Sequence, residues 1–177
     1  RFADLTGDGV QDLLAQPSPG ELWRFLGGGA TPFGVAEPIA LDLSFDLSDP
    51  RVALADMNLD GRIDVLRHDD ADGWIWLRLR DGAAYEPADA VPPPPAGMRL
   101  GDPGVQLADM NGDRLPDLVR ILGDDSRILV AAGAGFGEFE DPADMAGAPK
   151  MMPTDRWELA DINGDGAADL VRIGHGQ

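Results

Sequence analysis

Oxygen-bearing side chains recur at the first, third, fifth and ninth places of a nine-residue stretch, four times along the chain. The stretches are Asp4-Leu5-Thr6-Gly7-Asp8-Gly9-Val10-Gln11-Asp12, Asp56 to Asp64, Asp109 to Asp117 and Asp161 to Asp169. Their first aspartates lie 52, 53 and 52 residues apart. Carboxylates, a neutral amide or hydroxyl, and a backbone carbonyl at the seventh place form an all-oxygen donor set. Calcium accepts such ligands at about 2.3–2.6 Å in a forgiving geometry, whereas magnesium keeps more of its water. The candidate ligands are Asp4, Thr6, Asp8, Val10 and Asp12 in the first copy, and Asp56, Asn58, Asp60, Arg62 and Asp64 in the second. The third copy offers Asp109, Asn111, Asp113, Leu115 and Asp117, and the fourth Asp161, Asn163, Asp165, Ala167 and Asp169. At the seventh places, Val10, Arg62, Leu115 and Ala167, only the carbonyl would bind.

The copies are unequal. Glycine at the sixth place (Gly9, Gly61, Gly166) takes a positive φ without steric cost and so serves the tight turn. The third copy has Arg114 there, which adds a Cβ and a positive charge. The first copy has a hydroxyl, Thr6, where the others have asparagine. An EF-hand would need a bidentate glutamate at the twelfth place, and those places hold Ala15, Arg67, Arg120 and Arg172. The chain has no cysteine, and its two histidines, His68 and His175, lie outside the loops, which argues against zinc and copper. His68, beside Arg67 and Asp69, reads as a solvated loop residue. The alternative for every loop is an Asx turn, in which the carboxylates accept backbone N–H bonds and hold no metal.

These loops need strands to position them. Apolar pairs precede each loop (Phe2-Ala3, Leu54-Ala55, Leu107-Ala108, Leu159-Ala160) and follow it (Leu13-Leu14, Val65-Leu66, Leu118-Val119, Leu170-Val171). Short apolar runs bounded by turn residues indicate strands. A second apolar run begins 18 residues after each of the first three leading aspartates, at Leu22, Trp74 and Arg127. In the middle one, Ile75, Leu77 and Leu79 alternate with Trp74, Trp76, Arg78 and Arg80, the period of a strand. Glycine-rich turns follow (Gly27 to Gly29, Asp81-Gly82, Gly133 to Gly135), then aromatic segments ending in Glu37-Pro38, Glu86-Pro87 and Asp141-Pro142. Each unit thus predicts four short strands. With 23 glycines and 15 prolines, long helices are hard to place. A four-stranded repeat of this length suits a β-propeller blade. We expect an all-β fold, an arc of about three and a half blades with calcium loops between strands. The repeats are expected at residues 1–51, 52–104 and 105–156, with a partial fourth at 157–177. Pro92 to Pro95 reads as a stiff connector.

The formal net charge is −18, and calcium in the loops would relieve part of that repulsion. The sign argues against nucleic acid and against an anionic membrane surface. No apolar stretch approaches the length of a membrane helix, which argues against membrane insertion. Opening on Arg1, the sequence reads as an excerpt of a longer protein. Weak, partly neutral calcium loops suit millimolar extracellular calcium, so we expect a secreted protein.

The loop motif, continued by Leu-Val and accompanied by Phe33-Gly34 and Phe136-Gly137, resembles the FG-GAP or VCBS propeller repeat of integrin α-chains and many secreted bacterial proteins. The stretches from Val105 to Ile121, Gly133 to Phe139 and Trp157 to Val171 also look like the middle region of the B component of bacterial Tc insecticidal toxin complexes. That resemblance implies a propeller and shell that docks a pore-forming partner and helps enclose a toxic enzyme. The segment after the third loop, Arg127 to Val130, departs from the pattern.

We therefore expect a non-catalytic module that binds a protein partner, in the toxin reading the other subunits of the complex. A glycan-binding propeller or an integrin-like adhesion module is the alternative. For a glycan, Trp23, Trp74, Trp76 and Tyr85, beside Glu21, Arg24 and Arg78, could stack on and hydrogen-bond a sugar, unless they pack between blades as large aromatics usually do. An enzyme is not expected. The chain has no Gly-x-Ser-x-Gly elbow and no His-Glu-x-x-His pair, and the glycines from Gly133 to Gly137 lack the spacing of a nucleotide fingerprint.

Overall fold

The computed structural model describes residues 1–18, 20–29, 32–69, 73–81, 83–88, 92–123, 126–151 and 156–173. Among these the secondary structure is entirely β. The first blade comprises β1 (Phe2–Ala3), β2 (Asp12–Ser18), β3 (Glu21–Phe25) and β4 (Glu37–Leu41). The second comprises β5 (Val52–Ala55), β6 (Asp64–Asp69), β7 (Gly73–Arg80) and β8 (Ala84–Pro87). Each is an antiparallel meander in chain order. The third blade has β9 (Val105–Ala108), β10 (Asp117–Leu122) and β11 (Arg127–Ala131), then a small hairpin of β12 (Gly133–Gly135) and β13 (Glu138–Phe139), and last β14 (Ala143–Asp144). Strands β15 (Arg156–Ala160) and β16 (Asp169–Ile173) open a fourth blade. The chain is an arc of about three and a half propeller blades.

The glycine-rich run from Gly133, read in sequence as a turn, is instead strand β12, and the outer strand of this blade is Ala143–Asp144, beyond the aromatic segment. A Cβ at Gly133 would lie 2.5 Å from the Pro116 carbonyl oxygen, so glycine lets the chain pass close to the start of β10, as Gly27 does beside the Gln11 carbonyl in the first blade.

Blades stack face to face, and the cores lie between them. Leu14, Leu22 and Ile39 of the first blade meet Val65, Leu77, Leu79 and Tyr85 of the second. The other face of the second blade sends Leu66, Trp74 and Trp76 against Leu118 and Ala131 of the third. Strand β7 therefore has two apolar faces: Leu77 and Leu79 pack one way, Trp74 and Trp76 the other. Met98 and Leu100, in the connection after the Pro92 to Pro95 run, complete the second core. Val119, Ile128 and Met151 form the third, against Trp157, Leu159 and Leu170. The first two blades are also joined through their outer strands. Strand β4 pairs in parallel with β8, Ala40 opposite Ala84 and Leu41 opposite Tyr85, which makes one eight-stranded sheet.

Candidate metal and anchoring loops

Each nine-residue motif forms the turn between the first two strands of a blade: β1 to β2, β5 to β6, β9 to β10 and β15 to β16. The ninth aspartate is the first residue of the second strand. Gly9, Gly61 and Gly166 have φ of 82°, 82° and 94°, and Arg114 is held at 74°, a conformation that L side chains rarely adopt. The first aspartate folds the turn around its carboxylate. Asp4 accepts the N–H groups of Gly7 and Gly9, both at 2.7 Å, and Thr6 at 3.2 Å. Asp109 accepts from Gly112 and Arg114, both at 2.7 Å. Asp56 and Asp161 make the same bond to the sixth place, from Gly61 at 2.8 Å and Gly166 at 3.0 Å. The fifth aspartate accepts from the seventh residue: Asp8 from Val10, Asp60 from Arg62, Asp113 from Leu115 and Asp165 from Ala167. The third-place asparagines brace it. Asn58, Asn111 and Asn163 each accept the fifth residue's N–H and donate their amide to its carboxylate. The hydroxyl of Thr6 makes no such bond.

The ninth aspartates do something different. Asp12, Asp64 and Asp117 are almost wholly buried. One oxygen accepts the N–H of the loop's second residue: Leu5 at 2.8 Å, Met57 at 3.4 Å, Met110 at 2.8 Å and, for Asp169, Ile162 at 3.1 Å. In the first three copies the other oxygen accepts a backbone N–H from the end of the third strand or just beyond it: Gly27 at 2.8 Å, Leu79 at 3.0 Å and Gly133 at 2.8 Å. Asp64 also takes the Trp76 indole N–H at 3.0 Å. One carboxylate thus ties the loop to the second and third strands. Burial pushes the Asp64 carboxyl up to about 6, against the lowering by the Leu79 and Trp76 donors. Burial also raises Asp117, opposed by its bonds to Gly133 and Met110.

The loops follow one another along one rim of the arc. Gly7 of the first lies against Gly61 of the second, where an added Cβ would sit 3.2 Å from the Gly61 carbonyl oxygen. Ala168 of the fourth donates its N–H to the Asp109 carbonyl of the third at 2.6 Å. Chemically the donor set suits a hard cation: it is all oxygen, and a carboxylate oxygen that accepts one N–H keeps a second lone pair. Among the described residues, no three acidic side chains are already gathered as a metal cage. The carboxylate oxygens that accept the turn's N–H groups are thus also the candidate calcium ligands.

Several other sequence expectations fall on these faces. Trp74, Trp76 and Tyr85 are buried between blades, so they offer no stacking platform to solvent. The Tyr85 hydroxyl donates to the Ile63 carbonyl at 2.9 Å, and burial raises its pKa. Arg78 lies over the Trp76 ring at 5.6 Å. Trp23 is half-buried. His68 is not a solvated loop residue: it lies in β6, 6% exposed, edge-on to Trp74 at 5.6 Å. His175 lies outside the described residues. Sequence reasoning missed the twelfth-place arginines as structural groups. Arg67 donates to the Ser44 carbonyl at 3.0 Å and Arg120 to the Gly97 carbonyl at 2.7 Å, each strapping its blade to the connection from the preceding one. Their recurrence at one place of the repeat was the available signal.

Known proteins agree with this geometry. The sequence model of the FG-GAP-like repeat matches residues 4–67, 56–120 and 109–171. No curated protein matches the chain. Among solved structures, the chain is similar to part of the Tc holotoxin pore of Photorhabdus luminescens, with a TM-score of 0.67 and 21% identity. That likeness covers 96% of this chain and 8% of the other. A lectin of Agrocybe aegerita, described as specific for non-reducing terminal N-acetylglucosamine, matches with a TM-score of 0.66 and 21% identity over 97% of this chain and 46% of the lectin. The TcdB2-TccC3 structure without its hypervariable C-terminal region matches with a TM-score of 0.51 and 18% identity, over 90% of this chain and 8% of that one. The chain therefore spans less than half the length of each. At these identities the likeness establishes the fold.

Proposed function

The chain belongs to the FG-GAP-like repeat family, and on that premise we propose that it is a non-catalytic binding segment that docks protein partners within a secreted, Tc-like toxin assembly. One observation carries this reading: the repeated polar chemistry is spent on shape. The first, fifth and ninth aspartates accept the chain's own N–H groups. The groups with raised pKa, Asp64, Asp117 and Tyr85, are buried within blade packing. Catalysis needs perturbed groups that converge on a reachable cleft. Function then falls to the surfaces that the rigid arc presents. The likeness to two Tc toxin structures supports a protein partner of that class.

Calcium belongs to the same proposal as a structural ion. The first, third, fifth and ninth side chains, with the seventh carbonyl, would hold it, and it would add charge neutralisation to turns already folded by hydrogen bonds. The likeness to a lectin supports a second reading, in which the arc binds a glycan. Burial of Trp74, Trp76 and Tyr85 leaves Trp23 as the aromatic available to stack on a sugar among those expected. The deciding experiment measures the chain against a Tc pore by size-exclusion chromatography with light scattering, and against arrayed glycans that end in N-acetylglucosamine. A complex with the pore and no saturable glycan binding is expected. Saturable glycan binding lost in Trp23→Ala, with no protein complex, would replace the first reading by the second.

A further inference from the structure

The outward face of the first blade differs from the corresponding faces of the blades behind it. In the second blade the cross-strand pair Val65–Leu77 points at the preceding blade, and in the third blade Leu118–Ala131 does. All four are at most 1% exposed, because a blade covers them. The same register in the first blade pairs Leu13 with Phe25, and these remain half-buried. Phe2, next to Leu13 across the sheet, is 65% exposed. The next pair along is more informative. It is Arg67–Ile75 in the second blade and Arg120–Leu129 in the third, and each arginine straps to a carbonyl of the preceding connection. In the first blade the pair is Ala15–Trp23. No guanidinium can form there. Instead Ala15, Gln16, Pro17, Trp23, Phe25 and Ala36 line an apolar groove of about 410 Å³.

We propose that this groove is a socket for a large apolar side chain of a further four-stranded blade. The first blade is then joined to its neighbour by insertion, where the interior blades are joined by an arginine strap. The occupant is argued from the interface already present twice in the molecule. The Leu13–Phe25 pair has the register of two pairs that blades cover, so the surface that fits it is the other blade face, the one carrying Leu66, Trp74 and Trp76 in the second blade. An aromatic or leucine side chain from such a face has the size and polarity to enter beside Trp23. A second copy of this chain is a poorer occupant, because it would bring its own −18 against −18. This inference rests on the fold alone; a blade seated on the groove would cover Trp23, so it agrees with a protein partner and disagrees with the glycan reading that uses Trp23.

The chain has no cysteine, so Ala15→Cys places a single thiol in the socket. Its labelling by a maleimide is measured in the 177-residue chain and in one extended by a second copy of residues 52–104 ahead of Arg1. Free labelling in the first and at least about tenfold slower labelling in the second are expected. In the extended chain Ala15→Arg should lower the melting temperature, since it fills the socket. Equal labelling in the two chains, or a raised melting temperature in Ala15→Arg, overturns the proposal. Protection that appears in the unextended chain only as its concentration rises overturns it in favour of a second copy. The unaltered chain gives an independent reading. Anilinonaphthalene sulfonate should bind it and should lose that binding in Ala15→Arg; binding indifferent to the substitution overturns the socket.

Discussion

Asp64 tests whether burial or hydrogen bonding governs the anchoring aspartates. Its carboxylate accepts Leu79 N–H and Trp76 Nε1–H, both at 3.0 Å, and Met57 N–H at 3.4 Å. Donors of this kind stabilise the charged form, while desolvation opposes it, and here burial prevails and raises the group from 3.8 to about 6. The folded protein therefore holds a proton that the unfolded chain has released. Stability from this group is fully present below about pH 4 and is lost as pH rises through about 6. At 1.36 kcal/mol per pKa unit, the loss amounts to about 3 kcal/mol. Asparagine has nearly the same shape and does not titrate, so Asp64→Asn isolates the effect. The assay is urea unfolding of both proteins at pH 4 and pH 7 in chelator, so that no cation compensates the charge. The stability of the natural protein relative to Asp64→Asn should fall by about 2.4 kcal/mol between those pH values, the rest of the change lying below pH 4. A difference that stays constant, or that grows with pH, would show that the three donors outweigh desolvation and would refute the reasoning.

Other expectations are simpler to measure. Thermal melts should be several degrees higher in excess calcium than in chelator, since a ligand at a hundred times its dissociation constant adds about 2.7 kcal/mol. Identical melts, with no calorimetric heat, would leave the loops as hydrogen-bonded turns. Arg114→Gly should stabilise the third loop by about 1 kcal/mol by removing a side chain held at φ 74°, while the 2.7 Å bond from its N–H to Asp109 is kept. It should also tighten any calcium binding there, and weaker binding by titration calorimetry would count against it. Tyr85→Phe strands the Ile63 carbonyl in the first core and should cost about 1–3 kcal/mol in urea melts. No change would mean that the carbonyl finds water.

Much of the blade plan was legible because it rests on local chemistry. The strand–loop–strand unit showed in the apolar pairs around each loop, and the alternation of Leu77 and Leu79 with Trp74 and Trp76 foretold a strand, though not that both its faces would be packed. The roles within the loops were only partly legible. All four oxygen-bearing places looked alike as ligands, yet the ninth aspartate is sunk in the blade because its second partner lies about 15 residues away, at Gly27 or Leu79. That pairing is tertiary, and no spacing within the motif announces it. His68 looked solvated because its sequence neighbours are charged, but β6 turns alternate side chains to opposite faces and puts the imidazole against Trp74. The third blade's outer strand was displaced by the Gly133–Phe139 hairpin, and nothing in the glycine-rich run, which matches the turns of the other repeats, announces that pairing.

The parallel seam between β4 and β8 has a mechanical consequence. Two N–H donations, Ala40 to Ala83 at 3.0 Å and Asp42 to Tyr85 at 3.3 Å, stitch the outer edges of the first two blades. In the described residues the third blade shares no strand pairing with the second; its ties are the buried side chains, the Arg120 strap and the Phe136 N–H on the Met57 carbonyl. Tension applied along the arc would therefore open it behind the second blade before it parted the first two. The leading pair would move as one stiff lever, with its flexure concentrated at the junction beneath Trp74 and Trp76.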